Sequence, residues 1–123
     1  MNGLAIDEKM PSVEMLDCMK HCCECSGLCG QCAAHCLFLG GQHASVAHQG
    51  LLHDCSEMCS LAECFMARSS DHSGNVCSEC AEICNLCAIA CDELGHGDAM
   101  MTKCAQACRN CAIACEAVVG ASV

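Results

Sequence analysis

The sequence predicts an all-α protein, an up-down-up-down four-helix bundle with a cysteine-lined core. Turn-forming residues interrupt the chain at Gly40–Gly41, Ser69–Gly74 and Gly95–Gly97, and the segments between them are long enough for several helical turns. Cysteines recur along these segments at helical spacing, whereas the strand-favouring residues Thr, Tyr and Trp are almost absent. Because four helices joined by short turns favour antiparallel neighbours, we expect the chain to run up and down the bundle.

The chain is expected to form one domain that spans residues 1–123. A chain of this length can bury a core of its own. Within that domain the predicted helices occupy approximately residues 12–39, 42–69, 75–94 and 98–119.

Residues that favour helix amino termini precede three of these segments. Ser12, directly after the only proline, is the predicted N-cap of the first helix. Asn75 and Asp98 are the corresponding candidates for the third and fourth helices.

Most of the 19 cysteines follow a helical repeat. In the first, third and fourth helices, consecutive cysteines are three or four residues apart, which places them on one face of each helix. The pattern of Cys80–Cys91 recurs in Cys104–Cys115. We expect these faces to line the bundle interior. The cysteines concerned are Cys18, Cys22, Cys25, Cys29, Cys32 and Cys36, then Cys77, Cys80, Cys84, Cys87 and Cys91, then Cys104, Cys108, Cys111 and Cys115.

The second helix carries fewer cysteines on its predicted inner face, Cys55 and Cys59. Extending that face backwards from Cys55 passes through Leu51 or Leu52 and reaches His48, seven residues earlier. We therefore predict His48 as a metal ligand where this helix lacks a cysteine.

Two further cysteines fit the repeat less well. Cys64 follows Cys59 by five residues, which turns it about 140° away on an ideal helix. Cys23 lies beside the cysteine face of the first helix. Both are included as candidate ligands, with positions that the spacing leaves open.

Composition limits the compartment and the partners. Residues 1–11 contain neither the basic stretch nor the apolar run of a secretory signal, so we expect a cytoplasmic protein whose thiols stay reduced. The net charge of −10 includes no cluster of Lys or Arg, so nucleic acid is not an expected partner. No apolar run approaches the roughly 18 residues that span a bilayer, so no membrane association is expected.

The cysteine pattern favours Cu(I) over other metals. Soft thiolates select Cu(I), and we expect a Cys-x-x-x-Cys pair to hold one near-linear, two-coordinate ion. Zinc needs four ligands, and each all-cysteine zinc site would leave a charge of −2 in a dry core. One monovalent ion per thiolate, with bridging sulfurs, leaves the core neutral. We therefore predict multiple Cu(I) ions in each protomer.

Two other functions remain open from the sequence. Metallothionein-like sequestration of zinc or cadmium is one, and a thiol redox protein is the other. No cysteine stands out beside a histidine and an acid, so no catalytic residue is predicted and the protein is not expected to be an enzyme.

Histidine and methionine candidates gather near one end of the predicted bundle. In an up-down-up-down arrangement, Cys36, Cys91 and Cys104 lie at this end with His48. We predict it as the end for copper uptake, with Met101 as a second ligand there. His43, His96 and Met100 fall nearby, and the sequence does not decide whether they bind metal.

The tandem units Cys80-Ala-x-x-Cys84-x-x-Cys87-Ala-x-x-Cys91 and their copy from Cys104 to Cys115 resemble those of the bacterial copper storage proteins. The resemblance extends from about Cys18 to Cys115. It implies storage of many Cu(I) ions along the bundle axis, uptake at one open end and assembly into homotetramers. The sequence lacks an early Arg-Arg pair and is similar to the cytosolic members. Copper ions are thus the expected ligands, with a copper chaperone or low-molecular-weight thiols as exchange partners.

Overall fold

The computed structural model describes residues 10–121, which form four long helices and, within that range, no strand. A short 3₁₀ helix, Gly41–Ala44, lies between the first two. The all-α prediction is confirmed. The helices are α1 (Val13–Leu39), α2 (Val46–Ala67), α3 (Ser73–Gly95) and α4 (Ala99–Ala121).

The four helices form a ring in chain order. α1 packs against α2 and α4, and α3 packs against the same two helices. Sulfur contacts between α1 and α4 run in opposite directions along the two helices, from Cys18 against Cys115 to Cys29 against Cys104. Contacts between α2 and α3 are likewise in opposite order along the two helices, with Cys55 against Cys84 and Cys59 against Cys80. Contacts between α1 and α2 are also in opposite order, with Cys25 against Cys55 and Cys36 against His48. Consecutive helices are therefore antiparallel, and the up-down-up-down bundle is confirmed.

Two of the predicted helix caps are confirmed. The Ser12 hydroxyl accepts a hydrogen bond from the Met15 N–H at 3.1 Å. The Asp98 carboxylate accepts one from the Met101 N–H at 2.9 Å. Each cap satisfies an amide that has no partner within its own helix, which is typically worth about 1 kcal/mol.

The start of α2 lies four residues later than the sequence indicates. Gly40 adopts a left-handed φ of 75°, which ends α1 and turns the chain. Ser45 is extended, and its hydroxyl accepts a hydrogen bond from the His48 N–H at 3.1 Å. Ser45 is therefore an N-cap that separates the short 3₁₀ helix from α2.

The prediction that Asn75 caps the third helix is wrong, because α3 begins at Ser73. Ser69 has a left-handed φ of 50°, and the Ser70 hydroxyl accepts a hydrogen bond from the His72 N–H at 3.1 Å. The Ser73 N–H then donates to the Ser70 carbonyl at 3.1 Å. This tight turn returns the chain to helical geometry before Asn75.

Small polar residues let α1 and α2 approach closely. The Ser26 hydroxyl donates to the Ser56 carbonyl at 2.9 Å and lies 2.8 Å from the Ser60 hydroxyl. The Ser56 hydroxyl donates to the Ser26 carbonyl in return, at 2.9 Å. These bonds hold the two helices in a fixed register beside the core.

Residues 1–9, on which the compartment prediction rests, and residues 122–123, which end the predicted domain, lie outside the described residues. Over residues 10–121, none of the helices combines the length and the apolar character that crossing a bilayer requires.

We predict that the reduced, metal-free protein is already largely helical. Three of its four helices have side-chain caps, all four are joined by short turns, and neutral thiols pack as small apolar groups, so the fold does not need a metal ion. Small zinc domains, in contrast, are unfolded without metal. Circular dichroism under anaerobic, chelator-treated conditions measures this, and a random-coil spectrum would contradict it.

Candidate metal centre

The bundle interior is lined with thiols. All 19 cysteines are free, and all but Cys23 and Cys64 are buried. The 17 buried cysteines, here called the thiol column, lie on the inner faces of all four helices because their three- and four-residue steps follow the helical repeat. Aliphatic side chains occupy the core of an ordinary bundle of this kind, whereas sulfur fills most of this one.

The thiols of the column form overlapping groups rather than separate sites. Within each group the sulfur atoms all lie within 4.8 Å of one another. Cys55 and Cys59 each belong to two groups of four, so a sulfur can be shared between neighbouring ions. Along the axis the groups include Cys18–Cys77–Cys115, Cys22–Cys59–Cys80–Cys111, Cys25–Cys55–Cys59–Cys84, Cys25–Cys29–Cys55–Cys108 and Cys29–Cys87–Cys104–Cys108.

Sulfur atoms four residues apart on one helix are closer than a linear two-coordinate site requires. Two metal–sulfur bonds of about 2.3 Å span about 4.6 Å when linear. At the observed separations of 3.8–4.0 Å, such bonds would meet at about 110–120°. Either the sulfurs move apart on binding, or a third sulfur from a neighbouring helix joins the ion. The pairs measured are Cys18–Cys22, Cys25–Cys29, Cys32–Cys36 and Cys80–Cys84.

Burial favours neutral thiols while the column holds no cation, whereas contacts between thiols act in both directions: the Cys115 thiol, followed by that of Cys22, lowers the pKa of Cys111 to about 7. Burial raises the pKa of the Cys36 thiol above its usual value. For Cys77, the neighbouring Cys115 thiol lowers the pKa, but the Cys18 thiol and burial outweigh this effect and raise it to about 12. Deprotonating many such groups together would place uncompensated anions in the core, so each thiolate needs a positive charge close to it.

His48 lies at one end of the thiol column, as the sequence indicates. Its side chain is buried, and Nε2 lies 3.5 Å from the Cys36 sulfur. Burial, and then the charge of His43, lower the pKa of His48, so the imidazole is neutral near pH 7 and can act as a ligand. Among the described residues, Nδ1 of His48 has no hydrogen-bond partner.

A cavity of about 450 Å³ adjoins this end. It lies between the 3₁₀ helix, the first turns of α2 and the last turn of α3, and His48 forms part of its wall. We call this region, with Cys36 and His48, the histidine end. The remaining wall includes Gln42, Ser45, Leu51, Glu93 and Leu94.

The other candidates at the histidine end differ in their surroundings. Met101 is fully buried near the start of α4, as a ligand at this end would be. The His43 ring nitrogen Nε2 lies 3.1 Å from the Leu94 carbonyl oxygen and donates to it in that tautomer. His96 is exposed in a left-handed turn, and Met100 is partly buried. The thiol column therefore lies next to His48, whereas His43 pairs with backbone and His96 faces solvent.

A histidine–carboxylate contact at the histidine end was not predicted from the sequence. His35 Nε2 lies 2.8 Å from Asp98 Oδ2, and this contact joins the last turns of α1 to the start of α4. The His35 contact, followed by the Met101 N–H, lowers the pKa of Asp98. Asp98 was recognisable as a cap, but its pairing with His35 depends on how the two helices pack.

The inner face of α2 explains its irregular cysteines. The buried residues continue beyond Cys59 as Ala62 and then Met66, three and four residues on. Cys64 therefore points outwards and is exposed, as is Cys23 on α1. Met66 was not predicted from the sequence, although continuing the alternation of three- and four-residue steps past Cys59 reaches it.

A helical bundle with a continuous column of free thiols is a metal-binding bundle rather than a disulfide scaffold. Residues 12–120 match the copper storage protein family, and the chain belongs to that family. The resemblance noted in the sequence is confirmed.

Solved structures share the fold over nearly their whole length. The crystal structure of the Nmul_A1745 protein from Nitrosospira multiformis is 37% identical, with a TM-score of 0.81, over 88% of this chain and 96% of that one. The Cu(I)-bound copper storage protein BsCsp3 is 29% identical, with a TM-score of 0.79, over 86% of this chain and 98% of that one.

A sequence relative covers a shorter part of the chain. The uncharacterized cysteine-rich protein YhjQ of Bacillus subtilis (strain 168) is 31% identical over 79 residues, which are 64% of this chain and 73% of that protein.

We predict that loading the reduced protein with Cu(I) at pH 7 releases up to about one proton per ion, because thiols such as Cys36 and Cys77, whose pKa values are raised, are protonated before the metal arrives. Since these pKa values lie above 7, lowering the pH should weaken binding as protons compete for sulfur. Calorimetry in buffers of different ionisation enthalpy counts the protons. Loading without proton release would mean that the thiolates already exist in the free protein.

Proposed function

We propose that this protein stores Cu(I) in its bundle core, with the buried cysteines as ligands. The observation that carries the proposal is the continuous thiol column, in which neighbouring sulfur groups share members. An ion bound to one group therefore lies next to the site of the following ion. Storage follows from this arrangement, since capacity increases with the number of thiols along the axis.

Charge favours Cu(I) as the stored ion. When a thiol loses its proton to a monovalent ion, the net charge of the site does not change. A divalent ion bound by four thiolates leaves a charge of −2, and four-sulfur groups recur along the column, so their charges would accumulate in a low-dielectric interior. The relationship to the Cu(I)-bound BsCsp3 supports the same ion.

The role proposed here is storage without catalysis. Cys36 contacts His48, but no carboxylate orients this imidazole, since Nδ1 of His48 has no hydrogen-bond partner among the described residues. The proposed function depends on many similar sulfurs rather than on one reactive group. The metal-to-thiol ratio distinguishes Cu(I) storage from zinc or cadmium sequestration and from thiol redox chemistry. About one metal per cysteine indicates copper, about one per three or four indicates zinc, and reversible disulfides without metal indicate redox chemistry.

We propose a cytoplasmic homotetramer. The free thiols suit a reducing compartment. Large apolar side chains on the surface, with Phe38 88% and Val46 92% exposed, support contacts between protomers. A copper chaperone or low-molecular-weight thiols remain the proposed exchange partners, meeting the protein at the histidine end.

We predict saturation on the order of one Cu(I) per thiol, from the requirement for a neutral core. Anaerobic titration against a competing Cu(I) chelator measures the capacity. Saturation at only four or five ions would contradict the proposal.

Two double variants test whether the capacity depends on shared sulfurs. Replacing Cys55 and Cys59 by serine should remove more than two ions, because each of these sulfurs belongs to two groups. Replacing Cys23 and Cys64, which are exposed and proposed as ligands from the sequence alone, should remove two ions or fewer. Equal losses in the two variants would mean that sulfurs are not shared along the thiol column.

We also predict that copper enters and leaves at the histidine end. His48→Ala or Met101→Leu should slow uptake, or removal by a chelator, while leaving capacity almost unchanged, because the thiol column remains intact. Stopped-flow measurement of copper transfer to a chromogenic chelator gives these rates. Unchanged rates in both variants, with slowed rates after replacement of Cys18 or Cys115, would place the copper entry site at the opposite end of the bundle.

A further inference from the structure

The end of the bundle opposite His48 contains a buried methionine beside thiols. Met66, on α2, is fully buried, and the Cys77 thiol donates to its Sδ at 3.6 Å. Cys18 and Cys115 lie at the same end, with their sulfurs 3.5 Å apart. The sulfurs of Cys18, Cys77 and Cys115 all lie within 4.8 Å of one another. We call this region the methionine end.

Met66 takes the place that cysteine holds on the other three helices. α1, α3 and α4 each place a cysteine of the thiol column in the methionine end, whereas the inner face of α2 passes from Cys59 through Ala62 to Met66. A leucine would fill a similar volume. Unlike leucine, methionine brings a fourth sulfur to the methionine end, and its Sδ lies within hydrogen-bonding distance of the Cys77 thiol.

The methionine end is the last layer of the thiol column, and this position explains why an uncharged ligand suits it. Inside the column, a thiolate such as Cys59 can bind ions on both sides, which compensate its charge. Thiolates in the last layer have ions on one side only, so a fourth thiolate there would add an anion without a further cation. A thioether is a soft donor that carries no charge and can complete the coordination of a Cu(I) ion.

We propose that Met66 is a Cu(I) ligand, and that its Sδ binds the terminal ion of the column together with Cys77. The proposal rests on the function proposed above and adds a site of different composition, thioether with thiolate. Because Met66 is fully buried, this site closes the column rather than opening it to solvent.

The experiment follows the methionine methyl groups during copper loading. Reduced full-length protein carrying ¹³C-methyl methionine is titrated anaerobically with Cu(I), which is diamagnetic, and two-dimensional carbon–proton spectra are recorded at each step. Met66→Leu identifies the Met66 signal, and its Overhauser contact with Cys77 identifies it in unaltered protein should that variant fail to fold. Met58, partly buried against the core on the same helix, is the matched control, assigned with Met58→Leu.

The proposal expects the Met66 methyl signal to be replaced by a shifted one as the thiol column fills, whereas the Met58 signal stays close to its position. Met66→Leu should lower the capacity by one ion or fewer. A Met66 signal that does not move at a capacity near one ion per thiol would overturn this inference and leave the storage function intact. Saturation at four or five ions would overturn the storage function itself, and with it this inference.

Discussion

The structure depends on one electrostatic constraint, that a thiolate in a dry core needs a positive charge beside it. The buried thiols satisfy it in two ways. Without metal they keep their protons, and burial favours this state by raising pKa values such as that of Cys36. With Cu(I), each lost proton is replaced by one positive charge. The core can therefore remain neutral from the empty state to the filled one, which allows metal to accumulate without unfolding the bundle.

A scaffold that must stay folded in both states takes its stability from parts that the metal does not touch. Ser12, Ser45 and Asp98 cap three helices outside the thiol column. Serine hydroxyls join α1 to α2, and the His35–Asp98 contact joins α1 to α4. The sulfurs are consequently free to change partners as ions bind, and their present separations of 3.8–4.0 Å within a helix leave room for that adjustment.

The sequence predicted the bundle and its cysteine faces because both follow from spacing along a single helix, and spacing is explicit in a sequence. Asn75 was wrongly predicted as a cap, since the turn from Ser69 to Ser73 is closed by local hydrogen bonds that composition does not reveal. His35 and Asp98 meet only through helix packing. Met66 follows the helical periodicity of the inner face of α2, but it is not a cysteine, and its contact with Cys77 depends on how α2 and α3 pack.

We propose that Cu(I) ions occupy the bundle interior as a continuous series joined by shared sulfurs. Anomalous diffraction at the copper edge, from crystals of the fully loaded protein, locates these ions. We expect a chain of peaks along the bundle axis, each close to two or more sulfurs of the thiol column and sharing sulfurs with its neighbours. A few isolated peaks, or peaks confined to the exposed Cys23 and Cys64, would contradict it.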